Sequence, residues 1–391
     1  MIYLVATTVF MAVLGTTLLV TPAIRRWALR RDWVDKPDGR RKLHAAPIPS
    51  LGGLGIVAGF LVGMGLLYLG ATWDLLPWEP PSPLFWLGGV LILGTGVYDD
   101  IRGMASRHKL LLQVLVAGVL FWGGCRIDVA WLPFAATHPA LEQSLSLILT
   151  LVWIVAVMNA INLIDGLDGL AAGVAVIAFA YMGLIFSFHG GLGIVLPALV
   201  MVAALAGFLV YNFNPARIFM GDSGSLFIGF MLAFYSLEGQ AHLDPMMSFL
   251  TLVAVMGLPF LDTSYSIVRR FLNGQAIFAP DNDHIHHRMV RRWHQRQAVL
   301  LLYAAATIFG TIAVCMSIAT PANGFLLFGL ALSLAFIGLN RLKKYRLNYE
   351  APVLKPPVPV DGPRAVGDGD GAAQEHGKPV VPVPEVATTE A

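Results

Sequence analysis

Charge is scarce in this sequence. Charged residues make up 13% of the 391 positions, whereas hydrophobic residues make up 57%. A soluble domain carries about 25% charged residues, so this composition excludes an ordinary water-soluble protein. A chain of this length contains enough apolar residues for many spanning segments, and it therefore predicts an integral membrane protein built as a helix bundle.

Cysteine is also rare, since Cys125 and Cys315 are the two present. Both lie in or near apolar segments without a second cysteine nearby, which excludes a disulfide framework and argues against a thiol site. A cleavable signal pattern is missing too, because the apolar run Met1–Ile24 has no basic segment before it. We therefore expect this run to be retained as a first membrane-spanning helix.

Long apolar runs make up most of the remaining chain. A spanning helix needs about 20 apolar residues, and continuous runs, rather than alternating ones, exclude a β-barrel. The predicted fold is all-α and polytopic, with about eleven transmembrane helices. These lie near residues 2–24, 51–72, 84–98, 109–124, 144–161, 168–188, 192–211, 224–238, 247–268, 297–317 and 322–340.

Basic residues predict the orientation, because cytoplasmic loops carry an excess of Lys and Arg. The loop after the first span is strongly basic, so we assign it to the cytoplasm. Alternation of the spans then places every Lys and Arg except Arg126 on the same side. We therefore expect the N-terminus outside and the C-terminus in the cytoplasm.

Residues 347–391 differ from the rest of the chain in composition. Pro, Gly and Ala are frequent there, and no aromatic residue follows Tyr349. Such a segment cannot bury enough apolar surface to fold. We therefore expect one transmembrane domain over residues 1–346, followed by a disordered cytoplasmic tail over residues 347–391.

Unusual polar sequence is confined to loops on the predicted cytoplasmic side, whereas the outer loops are short and plain. A protein that merely spans the membrane has no reason to concentrate carboxylates, amides and histidines on one face. The pattern therefore predicts an active site there. The loops are DDIRGMASRHK (99–109), NAINLIDGLDG (159–169), NFNPARIFMGDSGS (212–225) and the long loop 269–297.

The adjacent acids Asp99 and Asp100 end a predicted span. Adjacent helical residues point about 100° apart, so we predict one acid for chemistry and one for support. The alternative is that both are solvated carboxylates at a helix end. Lys109 follows closely, and it either binds substrate or extends its charge to the membrane interface.

In NAINLIDGLDGL (159–170), amides and carboxylates recur three residues apart. Capping of the following helix would explain one carboxylate, but not two carboxylates with two asparagines. The intervening glycines permit close approach by a ligand. Hard oxygen donors of this kind are typical of a magnesium–phosphate or nucleotide site. The residues are Asn159, Asn162, Asp165 and Asp168.

Asp222 comes just before a predicted helix that is rich in small residues. Small residues indicate close helix packing, but packing does not explain an acid at this point. Helix N-termini bind phosphate, and an adjacent carboxylate suits the magnesium that accompanies phosphate. We therefore place Asp222 in the predicted site.

Three histidines and an arginine follow one another in DNDHIHHRM (281–289). Their spacing matches no common zinc pattern, and no cysteine is near, so zinc is not expected. Histidine and arginine donors that clamp a diphosphate fit the pattern better. The residues are His284, His286, His287 and Arg288.

In this order, the motifs resemble those of the polyprenyl-phosphate N-acetylhexosamine-1-phosphate transferases. Within that family, HIHHR is similar to the branch that starts O-antigen, teichoic acid or related glycan synthesis. The phospho-MurNAc-pentapeptide transferases of peptidoglycan synthesis typically carry a different histidine run and rank second. The matching segments are PIPSLGGLGI (47–56), DDIRGMASRHKLLLQ (99–113), NAINLIDGLDGLAAG (159–173), NFNPARIFMGDSGSLFIG (212–229) and PDNDHIHHRM (280–289).

The resemblance implies transfer of a sugar-1-phosphate from a UDP-N-acetylhexosamine, most commonly UDP-GlcNAc, to undecaprenyl phosphate, with release of UMP. It implies a cytoplasmic site in the inner (plasma) membrane of a bacterium and a need for Mg²⁺, with Mn²⁺ as a substitute. The expected partners are the UDP-sugar, undecaprenyl phosphate and membrane lipid, and no nucleic acid. The sequence is compatible with a homodimer.

The resemblance also implies roles for individual residues. Asp222 and Asn162 would hold magnesium, and Asp99 would act as a base or position the lipid phosphate, with Asp100 beside it. One-step attack by the lipid phosphate is preferred to a covalent phospho-aspartate route, which the sequence leaves open. The residues expected to bind substrate, or to hold the local architecture, are Asp165, Asp168, Asn159, Lys109, Lys42, Phe219, His284, His286, His287 and Arg288.

An ion-coupled transporter is the alternative from another functional class, because transporters also use intramembrane carboxylates. Their binding sites lie near the bilayer midplane. In this sequence the acids lie at the ends of spans, and Asp262 alone falls inside one. The position of the acids therefore favours an enzyme at the membrane surface.

Overall fold

The computed structural model describes residues 2–36, 47–129, 132, 138–243, 245–274 and 284–344. The protein is all-α, as predicted, because a helix satisfies the backbone hydrogen bonds of an apolar segment internally. The helices are α1 (Ile2–Arg30), α2 (Gly53–Thr72), α3 (Pro83–Arg102), α4 (Ser106–Trp122), α5 (Pro139–Ile164), α6 (Leu170–Phe188), α7 (Leu192–Asn212), α8 (Gly221–Glu238), α9 (Pro245–Val255), α10 (Gly257–Leu272), α11 (Ile285–Val290), α12 (Gln295–Ile318) and α13 (Pro321–Lys344). The predicted tail lies outside the described residues.

Among the described helices, eight are long and apolar enough to cross a membrane, and the pair α9–α10 makes a ninth if it counts as one span. The chain is therefore a polytopic membrane protein. Each predicted span corresponds to a helix or to this pair. The prediction of eleven crossings differs from eight or nine because α4 has 17 residues and α8 begins with the polar run GDSGS.

Helix α8 lies at the centre of the bundle, and every residue from Ser223 to Leu237 is buried. It packs against α2, α3, α5 and α6. Small residues allow the close approach: a Cβ added to Gly229 would stand 2.6 Å from the Cα of Met158 on α5. Because its neighbours shield α8 from lipid, this helix can begin with polar residues.

A short two-stranded ribbon precedes α2. Strand β1 (Val34–Asp35) pairs antiparallel with β2 (Ile48–Pro49). The ribbon is attached to the chain in front of α8, because the Phe219 N–H donates to the Pro49 carbonyl at 2.7 Å and the Gly52 N–H donates to the Phe219 carbonyl at 2.9 Å. These bonds hold the PIPSLGG segment beside the start of α8.

Candidate active site

One end of the bundle contains a polar cavity of about 750 Å³. Its walls come from the C-terminal ends of α3, α5 and α7, from the N-terminal ends of α8 and α12, and from the β1–β2 ribbon. Successive antiparallel helices bring these ends together. The predicted site residues that line the cavity are Asp100, Asn162, Asp165, Asp168, Phe219, Asp222 and His287.

The carboxylate of Asp100 caps α8 from a different helix. Its two oxygens accept hydrogen bonds from the backbone N–H groups of Asp222 and Ser223, at 2.7 and 3.0 Å. A negative charge at this end of α8 is stabilised by the helix dipole. Asp100 thereby determines where α8 begins and where Asp222 stands.

Glycine is required at the first residue of α8. Gly221 has a φ of +71°, and a Cβ there would lie 1.9 Å from the Ser50 carbonyl oxygen and 2.6 Å from both carboxylate oxygens of Asp100. Both the left-handed backbone and the lack of space exclude larger residues. The glycine of the MGDSGS motif thus allows three chain segments to meet at the cavity.

Lys109 lies between two carboxylates. Its ammonium group forms ion pairs with Asp99 and with Asp222. Asp99 also accepts a hydrogen bond from the Met104 N–H at 2.6 Å, at the turn after α3. The structure therefore joins α3, α4 and α8 through one lysine, whose charge offsets that of two acids.

The amide of Asn162 completes the surroundings of Asp222. It donates to the Asp222 carboxylate and, at 2.9 Å, to the Ser225 hydroxyl. The two residues predicted to share a metal ion are thus in direct contact across α5 and α8. An asparagine side chain also carries a carbonyl oxygen, so rotation of the amide would present that oxygen to a cation.

Negative charge accumulates at this end of the cavity. The pKa of the Asp165 carboxyl is raised well above its usual range, first by removal from water and then by the charges of Asp222, Asp100 and Asp168. Several carboxylates with an asparagine amide form the donor set that hard divalent cations take. The residues present therefore fit a divalent metal ion.

Asp168 holds two loops together. Its carboxylate accepts hydrogen bonds from the Asn214 side chain at 2.9 Å and from the Ala216 N–H at 3.0 Å. Asn214 donates in turn to the Gln295 side chain at 2.9 Å, and Asn212 accepts from the Gly169 N–H at 3.0 Å. The DGLDG loop is thus tied to the NFNPAR loop at the floor of the cavity.

The three histidines and the arginine of the HIHHR segment lie in different surroundings. His287 lines the cavity, and its pKa is lowered to about 4, first by burial and then by the neighbouring histidines. His284 and His286 are buried beside Asp262, at 3.3 and 2.9 Å. The guanidinium of Arg288 lies 4.9 Å from the centre of the Tyr265 ring.

The predicted site residues that are described but do not line the cavity are Asp99, Lys109, Asn159, His284, His286 and Arg288. Asn159 donates to the Gln113 side chain at 2.6 Å and to the Val155 carbonyl at 2.8 Å. These bonds direct it toward α4 and its own helix. Lys42 lies outside the described residues.

Several residues that line the cavity were not predicted as site residues. Asn212 and Asn214 stand in a motif that the sequence analysis singled out, so their amide side chains were a usable signal. Ser50 lies in the matching segment 47–56 and Gln295 lies in the long loop 269–297, but neither was distinguished from its neighbours. Asp35 carries no local signal, because an isolated polar residue next to a strand end is common. The fold alone brings these five to the cavity.

The chain is similar in sequence to known proteins. The sequence family described as Glycosyl transferase family 4 matches residues 82–240. A Bacillus subtilis (strain 168) protein named probable undecaprenyl-phosphate N-acetylglucosaminyl 1-phosphate transferase is 37% identical, over 80% of this chain and 85% of its own length. The decaprenyl-phosphate N-acetylglucosaminephosphotransferase of Mycobacterium tuberculosis (strain ATCC 25618 / H37Rv) is 35% identical, over 73% of this chain and 76% of its own length.

A more distant relative is the undecaprenyl-phosphate alpha-N-acetylglucosaminyl 1-phosphate transferase of Salmonella typhi. It is 28% identical, over 77% of this chain and 81% of its own length. The family match over residues 82–240 includes the cavity residues Asp100, Asn162, Asp165, Asp168 and Asp222. The chain therefore belongs to glycosyl transferase family 4, in the branch of the polyprenyl-phosphate N-acetylglucosamine-1-phosphate transferases.

Proposed function

We propose that this protein transfers N-acetylglucosamine-1-phosphate from UDP-GlcNAc to undecaprenyl phosphate. The products are UMP and the first lipid-linked intermediate of a cell-envelope glycan. The observation that carries the proposal is the group around Asp222. Asp222 and Asn162 line the polar cavity and contact each other, and Lys109 forms ion pairs with Asp222 and with Asp99 behind them. The names of the relatives, which specify this sugar phosphate and a polyprenyl phosphate, support it.

The cavity faces the cytoplasm in this proposal, and the protein lies in the inner membrane of a bacterial cell. Nearly all basic residues fall on the side of the cavity if the N-terminus is outside. The crossings are then eleven, because α4 and the central α8 add two to the nine apolar spans. A soluble nucleotide sugar and a lipid phosphate can meet at such a surface.

The chemical task is to bring two anions into line. The nucleophile is an oxygen of the lipid phosphate, and the electrophile is the β-phosphorus of the nucleotide sugar. A phosphate monoester has a second pKa of about 6, so it is largely dianionic and needs little help from a base. Positioning and charge neutralisation then account for most of the rate enhancement.

In this proposal Lys109 and Asp99 position the acceptor, undecaprenyl phosphate. Lys109 supplies a positive charge for the lipid phosphate, and its ion pairs with Asp99 and Asp222 determine where that charge lies. Asp99 holds the lysine and the turn at Met104, and it can accept a proton if the phosphate carries one. Direct attack requires no covalent intermediate on the enzyme.

Asp222 and Asn162 would hold Mg²⁺, or Mn²⁺ in its place, beside the diphosphate. When bound, the ion neutralises charge on the diphosphate oxygens and makes the phosphorus more electrophilic. Asp100 supports this pair by holding the start of α8. Asp165, Phe219 and His287 line the remainder of the cavity, and we assign them to the nucleotide and sugar.

The proposal is tested with purified protein, UDP-GlcNAc, undecaprenyl phosphate and Mg²⁺. We expect release of UMP together with a lipid-linked GlcNAc diphosphate. Asp222→Asn should lose nearly all activity and retain its fold, whereas Asp74→Asn, far from the cavity in the turn after α2, should behave like the wild type. Full activity of Asp222→Asn would show that Asp222 does not hold the metal ion.

A donor screen distinguishes the closest alternative. UMP release from UDP-MurNAc-pentapeptide in preference to UDP-GlcNAc would replace the proposed function with the peptidoglycan branch. Preference for a different UDP-N-acetylhexosamine would retain the reaction and change the sugar. Membership of a transferase family argues against the transporter alternative.

A further inference from the structure

Asp262 is an acid that the proposed reaction leaves without a role. It lies on α10, inside an apolar segment, and it is 2% exposed. It does not line the cavity. Burying a carboxylate is costly unless it is paired or hydrogen-bonded, so its partners indicate what it does.

Within the part of the chain that the structure describes, the hydrogen bonds and ion pairs of Asp262 are with the first residues of the HIHHR segment. One carboxylate oxygen accepts the Ile285 N–H at 2.6 Å, which caps the short helix α11. The other oxygen lies 2.9 Å from Nδ1 of His286 and 3.3 Å from Nδ1 of His284. Asp262 therefore attaches the histidine segment to α10.

The bond to Asp262 orients the imidazole of His286. When Nδ1 donates to the carboxylate, the other ring nitrogen, Nε2, points away from α10. His286 is 1% exposed, and within the described structure its Nε2 has no hydrogen-bond partner. A Cβ added to Gly166 would lie 2.4 Å from this Nε2. The ring therefore lies directly against the backbone of Gly166.

Gly166 is part of the cavity wall, between Asp165 and Asp168. A chain of contacts thus runs from Asp262 through His286 to the DGLDG loop. We propose that Asp262 is a positioning residue that acts through His286: it holds the imidazole against Gly166 and thereby sets the loop that receives the nucleotide sugar. His286 then contacts the Gly166 backbone on the side away from the cavity and does not touch substrate.

The side chains of Asp262, His284 and His286 are close enough to hold a metal ion, since their ligand atoms lie within 4.8 Å of one another. Hydrogen bonding explains their arrangement better. One carboxylate oxygen already accepts a backbone N–H, and 2.9 Å is an ordinary length for a bond between an imidazole N–H and a carboxylate. The metal content of the purified protein decides between the two explanations.

The kinetic test of this inference rests on the proposed function. It compares Asp262→Asn, His286→Asn and the double variant. The asparagine at position 286 can still donate to Asp262 but no longer reaches Gly166. We expect each single variant to raise KM for UDP-GlcNAc about 10- to 100-fold, a range taken by analogy from residues that orient metal ligands. KM for undecaprenyl phosphate should stay near the wild-type value.

The double variant carries the main argument. If Asp262 acts through His286, the two residues form one chain of contacts. The double variant should then raise KM for UDP-GlcNAc no further than the single variant with the larger effect. Multiplied losses, or equal changes in both KM values, would overturn the inference. His108→Asn, an exposed histidine at the same end of the bundle, is the matched control and should be unchanged.

Hydrogen exchange provides a test that does not depend on activity. Asp262→Asn should increase amide exchange in the segment 165–169, and α6 beyond its first turn should be unaffected. Unchanged amide exchange of the segment 165–169 in Asp262→Asn would overturn the inference, even if the protein releases UMP. Stoichiometric zinc that is lost in Asp262→Asn would also overturn it. His286→Asn, which removes the ring from Gly166, provides the same readout if Asp262→Asn fails to fold.

Discussion

The carboxylate of Asp100 accepts hydrogen bonds from the backbone of Asp222 and of Ser223, at 2.7 and 3.0 Å. These acids are far apart in the chain, on α3 and α8. The side chain of Asp222 meets Lys109 and Asn162, while its backbone is held by Asp100. One acid of the DD pair thus supports the acid of the GDSGS motif.

Asp100→Asn should lower both stability and activity. The variant loses the negative charge at the start of α8, and its amide has one acceptor oxygen for two N–H groups. Loss of a helix cap costs about 0.5–2 kcal/mol. We expect a lower melting temperature and a kcat reduced about 100-fold, a loss typical of displaced catalytic geometry, as measured by UMP release at saturating Mg²⁺.

The matched control for this variant is Asp32→Asn, which removes an exposed carboxylate at the end of α1. It should keep the wild-type melting temperature and kcat. If Asp100→Asn behaved in the same way, the cap on α8 would have no part in the site.

Lys109→Met should change the dependence of activity on Mg²⁺. Without the lysine, Asp99 and Asp222 are left without its positive charge, so the potential at Asp222 becomes more negative. We expect half-maximal activity at a lower Mg²⁺ concentration, together with a kcat reduced at least about 10-fold. The measurement is UMP release over a Mg²⁺ titration.

Arg107→Met provides the comparison for this titration, because Arg107 is an exposed cation on the same helix, α4. Its Mg²⁺ dependence should match that of the wild type. An unchanged midpoint in Lys109→Met would contradict the assignment of this lysine to the charge balance of Asp222.

Gly221→Ala should prevent the start of α8 from forming as described. A residue with a side chain at φ of +71° is strained by about 1–3 kcal/mol, and its Cβ would collide with the Ser50 carbonyl. We expect a clear fall in melting temperature and loss of UMP release. Gly118→Ala on α4, where a Cβ meets nothing within 4 Å, should be neutral or slightly stabilising.

His287 should contribute to the loss of stability in acid. Its pKa is about 4 in the folded protein, against about 6.5 for an ordinary histidine. Between these values the unfolded chain binds a proton that the folded protein does not, so stability falls as the pH falls from about 6.5 to about 4. His287→Gln should therefore lose less melting temperature than the wild type between pH 7 and pH 5.

The exposed His108 serves as the control for this pH series. His108→Gln should show the same loss of melting temperature as the wild type. Identical curves for His287→Gln and the wild type would show that burial of His287 does not oppose its protonation.

Hydropathy predicts helices well in this chain because each one must span a bilayer with apolar side chains. The span predicted over 144–161 falls within α5, and the one over 168–188 nearly coincides with α6. A bend is not visible in the same signal. The single span predicted over 247–268 is the pair α9–α10, which meet at an angle of 79°, because a break changes the backbone and leaves the composition apolar.

The contacts between motif residues are likewise not visible in the sequence. Periodicity and the positive-inside pattern place Asp100 and Asp222 at one surface, but they do not indicate that the first caps the helix of the second. Likewise Asp262 reads as an isolated acid within a span, and its contacts with His284 and His286 depend on how α10 meets α11. Such pairings join residues that are distant in the chain.

Composition and the order of the apolar runs are sufficient to predict a helical membrane bundle whose polar residues gather at one surface. The tertiary structure decides which acids support and which face the cavity. Hydrogen bonds and ion pairs act over about 3 Å, so the division of roles among Asp99, Asp100 and Asp222 depends on how α3, α4 and α8 pack, and no local pattern encodes that packing.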